Sequence, residues 1–366
     1  MVFIIIVFIF LFYVGQFIER LPSTFFAIIC NTILFILLAY CFTSYTNNSD
    51  WNMYYYFFKY EDSNTDPVFY WLTILFKKLH LNYTTLYKFH IIVILGLYFF
   101  LISRFTKNIF FIFLAYLMLD NVHLVNQLRY YLGFPILLYG FYLLFYQRKI
   151  LLALIPITIA LLCHSGLSFL LIFIPVYYFI PIKRYYQYIL VLSIIIFMIT
   201  LIVFNSALGS LIINFGNYFQ NDNKSSFFGG LYNAIPYIIF TVFLFLETIR
   251  LLREKPEIIE DRQFVFLYKL SFFGMIFIPG SFLIQIIGHR YVMTLSVFWL
   301  IYYYVYFIKD HEQKIQLKRF SIISGIILVS SFFIYIIPYY VFGHSHFSEE
   351  FQHMIKSSYV LKDFLE

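Results

Sequence analysis

Residues 120–181 read DNVHLVNQLRYYLGFPILLYGFYLLFYQRKI, then LLALIPITIALLCHSGLSFLLIFIPVYYFIP, and the order of charges and apolar runs in them decides the fold. Arg129 stands where an apolar run begins. Gln147-Arg148-Lys149 is a short polar turn. A second apolar run ends at His164-Ser165, and a third ends at Pro181. Two antiparallel helices joined by that turn return to the membrane face they left. At about 1.5 Å per residue the leg from Arg129 to Arg148 is roughly 27 Å and the leg from Lys149 to His164 roughly 23 Å. The legs nearly cancel, so the spacing predicts Arg129 and His164 at similar depth. Neighbouring helices pack about 8–10 Å apart, which an arginine side chain largely covers.

Working outward, apolar runs recur near 2–18, 24–43, 89–103, 108–120, 130–146, 150–163, 166–182, 187–207, 231–249, 264–287, 291–308 and 320–342. A hydrocarbon core takes about 20 apolar residues to cross. The reading is an all-α polytopic membrane protein with about twelve transmembrane helices, in a single integral membrane domain over 1–366. The runs do not alternate in the way a β-barrel strand does. Only 12% of the 366 residues are charged, against about 25% in soluble domains. The N-terminal run MVFIIIVFIFLFYVGQF has neither a basic leader nor a small-residue cleavage site, and is read as a retained first helix.

The net charge of +7 does not require nucleic acid as a partner. Basic residues sit in short loops between apolar runs, as topology demands. With the N-terminus outside, inner loops carry 15 Lys and Arg and outer segments 9. Residues 44–88 then form one long outer segment after helix two. Within it 67–79, PVFYWLTILFKKL, is too short to span and reads as a re-entrant or interfacial helix. Asp50, Glu61, Asp62 and Asp66 stand there among Trp51, Tyr54, Tyr55, Tyr56 and Tyr60. Such rings and carboxylates suit sugar binding, and they equally suit an aromatic belt at the membrane interface. The Gly- and Asn-rich stretch 208–230 reads as an exposed outer loop. Residues 343–366 read as an amphipathic tail on the outer surface.

Cys30, Cys41 and Cys163 lie inside apolar runs and read as packing residues. His344, His346 and His353 lack acidic or Cys partners at ligand spacing, so no metal and no cofactor is expected. There is no phosphate-binding glycine loop, no D-x-D pair, no G-x-S-x-G and no H-E-x-x-H. What remains is polar groups at outer helix ends: Arg129, His164 with Ser165, and His289-Arg290 in IQIIGHRYVMTL. Ionisable groups at membrane depth are costly unless paired or functional. Arginine binds phosphate bidentately, and a histidine can accept a proton from a hydroxyl. The set suits a diphosphate leaving group and a sugar hydroxyl nucleophile.

LRYYLGFPILL, a basic turn and LLCHSGLSFLL resemble the EpsG-type family of bacterial exopolysaccharide and O-antigen polymerases, the Wzy class. That family shows Arg-Gln-x-x-Ala opening one helix and His-Ser closing the next. Asp50-Trp51-Asn52-Met53-Tyr54 and Arg290-Tyr291 are similar to further family segments. The family's Gln and Ala fall here on Tyr130 and Gly133, so no role is carried over for the Gln. The resemblance implies a multi-pass enzyme of the bacterial inner membrane that joins undecaprenyl-diphosphate-linked oligosaccharide units at the outer face. It gives Arg129 and Arg290 the diphosphate, His164 the base or acceptor-positioning role, and Asp50 as alternative base. Ser165, His289, Tyr54, Trp51 and Glu61 would contact substrate. Partners are the lipid-linked oligosaccharide, membrane lipid and, in such systems, a chain-length regulator protein. A lipid-linked oligosaccharide flippase and a membrane acyltransferase acting on a surface glycan are the alternative readings.

Overall fold

A computed structural model describes residues 13–14, 17, 24–46, 48–63, 66–204, 227–309 and 311–337. Every regular element among them is helical. Most of the predicted run 2–18, most of the loop 208–230 and the tail 343–366 lie outside the described residues. Eight helices are long and apolar enough to cross a membrane, and 109–120, 150–163 and 165–179 are shorter apolar helices. Measured by length, then, the described residues give eight spans where about twelve helices were expected. The difference is made up by the three shorter helices and by the run 2–18, of which only residues 13, 14 and 17 are described.

Contacts group the described chain into two compact units. One takes residues up to Leu117 and Asn121–Leu171, and the other Met118–Asp120 and the described part of Ile172–Pro338. In the first unit α1 is Thr24–Ser44, α2 Trp51–Tyr60, α3 Pro67–Lys78, α4 Tyr83–Ser103, α5 Ile109–Asn126, α6 Leu128–Phe141 and α7 Ile150–Cys163. The expected outer segment 44–88 thus holds two short helices and the first turn of α4. At about 1.5 Å per residue the 12 residues of α3 reach ~18 Å.

The α6–α7 hairpin is the tightest packing in this unit. A Cβ on Gly133 would lie 2.6 Å from Leu167, 2.8 Å from the Ala160 carbonyl and 2.9 Å from Cys163. One on Gly140 would lie 2.7 Å from Ile157 and 3.4 Å from the Ala153 carbonyl. Small residues let membrane helices approach backbone to backbone. Gly133 and Gly140 are seven apart on α6, and Ala153 and Ala160 seven apart on α7, running the opposite way. Continuing that register four residues past Gly133 and four past Ala160 arrives at Arg129 and His164. The glycines and alanines therefore fix which polar residues meet at the open end of the hairpin.

In the second unit α8 is Phe173–Phe179, α9 Tyr185–Phe204, α10 Phe227–Glu254, α11 Arg262–Phe273, α12 Ser296–Tyr303 and α13 Gln313–Ser331. Its centre is aromatic. α11 and α12 are almost wholly buried and are tied by Trp299 Nε1 donating to the Ser271 carbonyl at 2.6 Å and by Ser271 Oγ donating to the Phe298 carbonyl at 3.1 Å. Phe240 stacks on Trp299 at 5.2 Å between ring centroids, and Tyr302 is bonded to Thr248 at 2.9 Å.

Candidate functional site

Asp66 is where three segments converge. Pro67 opens α3, where its fixed φ suits the first turn and its missing N–H is not needed. The residue before a proline is driven to extended backbone, and Asp66 has φ −59° and ψ 137°. It stands at the capping position but makes no side-chain cap bond. Its carboxylate turns instead to the α6–α7 hairpin. Oδ2 lies 2.8 Å from Arg129 Nη1 and 2.9 Å from His164 Nδ1. Oδ1 accepts from the Ser165 backbone N–H at 3.4 Å. That N–H starts the 3₁₀ stretch Ser165–Ile172, so Asp66 caps a helical end other than its own.

His164 terminates α7 with extended backbone, φ −161° and ψ 117°. Its ring meets the edge of Tyr130 at 5.6 Å. Arg129, in the first turn of α6, lies over the rings of Tyr54 and Phe57 at 5.5 and 5.4 Å, distances at which ring and cation attract. The side chains of Asp66, Arg129 and His164 are 13%, 18% and 16% exposed, so the cluster is enclosed with some solvent access, and His164 Nε2 itself is buried. Arg129 Nε is buried with no hydrogen-bond partner among the described residues, which leaves the guanidinium with an unused donor.

Burial pushes the Asp66 carboxyl up, but the His164 hydrogen bond, the Arg129 and His164 charges and the Ser165 N–H outweigh it and hold it below the usual carboxylate range. Asp66 is therefore ionised at neutral pH and only accepts hydrogen bonds. The nitrogen facing it, His164 Nδ1, must then carry a hydrogen. In a neutral ring this leaves Nε2 as the basic position, the usual way in which a carboxylate sets a histidine tautomer.

The expected pairing of Arg129 with His164 is thus present, bridged by an acid that the sequence reading left among the outer-segment carboxylates. Other site residues fall differently. Tyr54 is 3% exposed and underlies Arg129, so it does not offer its face to a sugar. Trp51 packs edge-on against Tyr83 and Tyr87 at 4.7 and 4.9 Å. Trp51 is thus held against α4, Tyr54 packs on Phe69 of α3 at 5.4 Å, and the rings that α2 leaves open are Tyr55, Tyr56 and Tyr60. Glu61 pairs with Lys77 at 2.9 Å on the surface. Asp50 stands at the start of α2, one turn before Tyr54. Ser165 contributes its backbone N–H. His289 and Arg290 belong to the second unit, where His289 Nδ1 meets the Tyr237 hydroxyl at 3.2 Å.

The sequence reading also passed over Lys269. Its Nζ donates to the carbonyls of Tyr177 and Ile180, both at 2.6 Å, and lies over the rings of Tyr177 and Tyr185 at 4.8 and 5.4 Å. The signal was one lysine inside the apolar run FLYKLSFF, absent from every loop.

Eight candidate spans and an ionic cluster built from a helix hairpin and a preceding loop define a multi-pass membrane protein with a polar site at the helix ends. A profile of the EpsG family matches residues 25–349, and the chain belongs to that family. No curated protein and no solved structure matches it.

Proposed function

We propose that this chain is a polysaccharide polymerase that joins undecaprenyl-diphosphate-linked oligosaccharide units into O-antigen or exopolysaccharide at the outer face of the bacterial inner membrane. Family membership supports a role in polysaccharide biosynthesis. The observation that carries the chemistry is the single Asp66 oxygen shared by Arg129 and His164.

In this reading the anomeric carbon of the growing glycan loses its bond to the lipid diphosphate and gains one to a hydroxyl oxygen of the incoming unit. The hydroxyl proton goes to His164 Nε2. The electron pair leaves with the diphosphate, whose charge Arg129 stabilises through donors that Asp66 does not use. Asp66 is the carboxylate that positions His164. The open rings of Tyr55, Tyr56 and Tyr60 on α2 are assigned to sugar.

The test is a deletion strain complemented with wild type, Arg129→Lys, Asp66→Asn or His164→Ala. The expected result is long glycan from wild type only, with single repeat units retained in the variants. Complete loss of surface units would indicate a flippase. Full-length glycan lacking acyl groups would indicate an acyltransferase. Full activity of Arg129→Lys would remove the bidentate phosphate argument, since lysine keeps the charge but not the planar fork.

A further inference from the structure

A second concave site lies in the first unit, on helices that do not carry the ionic cluster. α1, α4 and the turn that follows α4 line an open cavity of about 450 Å³, within the range of small-ligand sites. Its body is apolar, with Phe35 and Phe99 meeting edge to face at 5.5 Å and Phe100 beside them. Its other end is polar, lined by Asn31, Ser103 and Lys107. Asn31 Nδ2 donates to the Lys107 carbonyl at 3.0 Å, which fixes the Arg104–Lys107 turn against α1. Arg104 lies 4.0 Å over the ring of Phe100, placing a second cation at the rim.

Two features specify what fits. Lys107 and Arg104 are exposed, and neither is ion-paired with a carboxylate among the described residues. Asn31 Oδ1 is buried and lacks a hydrogen-bond donor, which a buried acceptor requires. The cavity therefore asks for an apolar chain, an anionic group at its polar end and a hydroxyl that can donate.

We propose that this cavity is a binding site for an anionic glycerophospholipid with a hydroxyl-bearing headgroup. The acyl chain lies along Phe35 and Phe99. The phosphate meets Lys107 and Arg104, in keeping with basic pockets between membrane helices that take anionic headgroups. The headgroup hydroxyl donates to Asn31 Oδ1.

The test is native mass spectrometry of the purified full chain, with phosphatidylglycerol offered against phosphatidylcholine of the same chains. Wild type should retain one phosphatidylglycerol with about tenfold preference. Arg104→Gln/Lys107→Gln, both surface changes, should lower that preference to about twofold or less at unchanged melting temperature without added lipid. Phe35→Trp, which fills the cavity, should reduce retention of both lipids. Equal retention of the two lipids by wild type, or an unchanged preference in the double variant, would overturn the proposal. So would stronger retention of undecaprenyl diphosphate than of phosphatidylglycerol, which would make the cavity a substrate site.

Discussion

The first unit and the second each bury basic side chains, and they satisfy them in opposite ways. Arg129 meets Asp66, and Asp66 meets His164. The partners are themselves titratable, come from segments far apart in the chain, and keep some solvent access. Lys269 is met by two backbone carbonyls and two aromatic rings. Those carbonyls belong to the frayed end of α8, where carbonyls lack intrahelical donors. A charge held by backbone has a fixed environment, because carbonyls cannot change protonation or swap partners. A charge held by a carboxylate that also serves a histidine can exchange. The partner's chemistry, more than depth of burial, separates a structural cation from a reactive one.

The largest expected effect breaks the first half of this contrast. Asp66→Ala leaves the enclosed Arg129 without its carboxylate and should cost about 3 kcal/mol in unfolding free energy, the low end for buried pairs because solvent reaches the site. Arg129→Ala should cost less, because Asp66 keeps His164 and the Ser165 N–H. Long glycan should disappear. The double variant should regain most of the stability and none of the glycan. Thermal unfolding in detergent and glycan gels read the two quantities separately. A double variant that makes long glycan would show that the pair is structural, like Lys269.

Lys269→Met addresses the other half. It leaves two carbonyls without a donor, at about 1–3 kcal/mol each when buried, and the same melts should show it. Glycan made per folded molecule should stay within about twofold, because no titratable partner is lost. A stable variant with no glycan would place Lys269 with the reactive cations.

The smallest effect is a pH dependence. Asp66 has a folded pKa below its ordinary 3.8. Its contribution to stability is therefore fully present above 3.8 and is lost as pH falls through the lower folded value. Melting temperature should be flat with respect to this group at neutral pH and decline in acid. Asp66→Asn should remove that part of the decline, and an unchanged acid profile would mean that Asp66 is not ionised in its pair.

Much of the first unit's architecture was legible because hairpins obey local arithmetic. Arg129, the turn at 147–149 and His164 are close in sequence, so helix rise alone brought them level. Asp66 was not legible by that route. It lies 98 residues from His164, among Asp50, Glu61 and Asp62, and only the folding of α2 and α3 selects it. The one local hint was Asp66-Pro67, which fixes the backbone but not the direction of the carboxylate. Trp51 and Tyr54 looked like sugar-facing rings because composition cannot say which side of a short helix is covered. Lys269 escaped because the charge tally counted loops.

The glycine–alanine register also bears on how such chains can diverge. The α6–α7 hairpin is a ruler read from its packed middle. Residues added to the turn at 147–149 leave Gly133, Gly140, Ala153 and Ala160 in place and keep Arg129 level with His164. A single residue inserted between Arg129 and Gly133 turns Arg129 by about 100° around the helix and shifts it about 1.5 Å, away from Asp66. Length variation is thus harmless at the turn and lethal within a few residues of the charges, so insertions and deletions in viable variants should collect at the bottom of the hairpin.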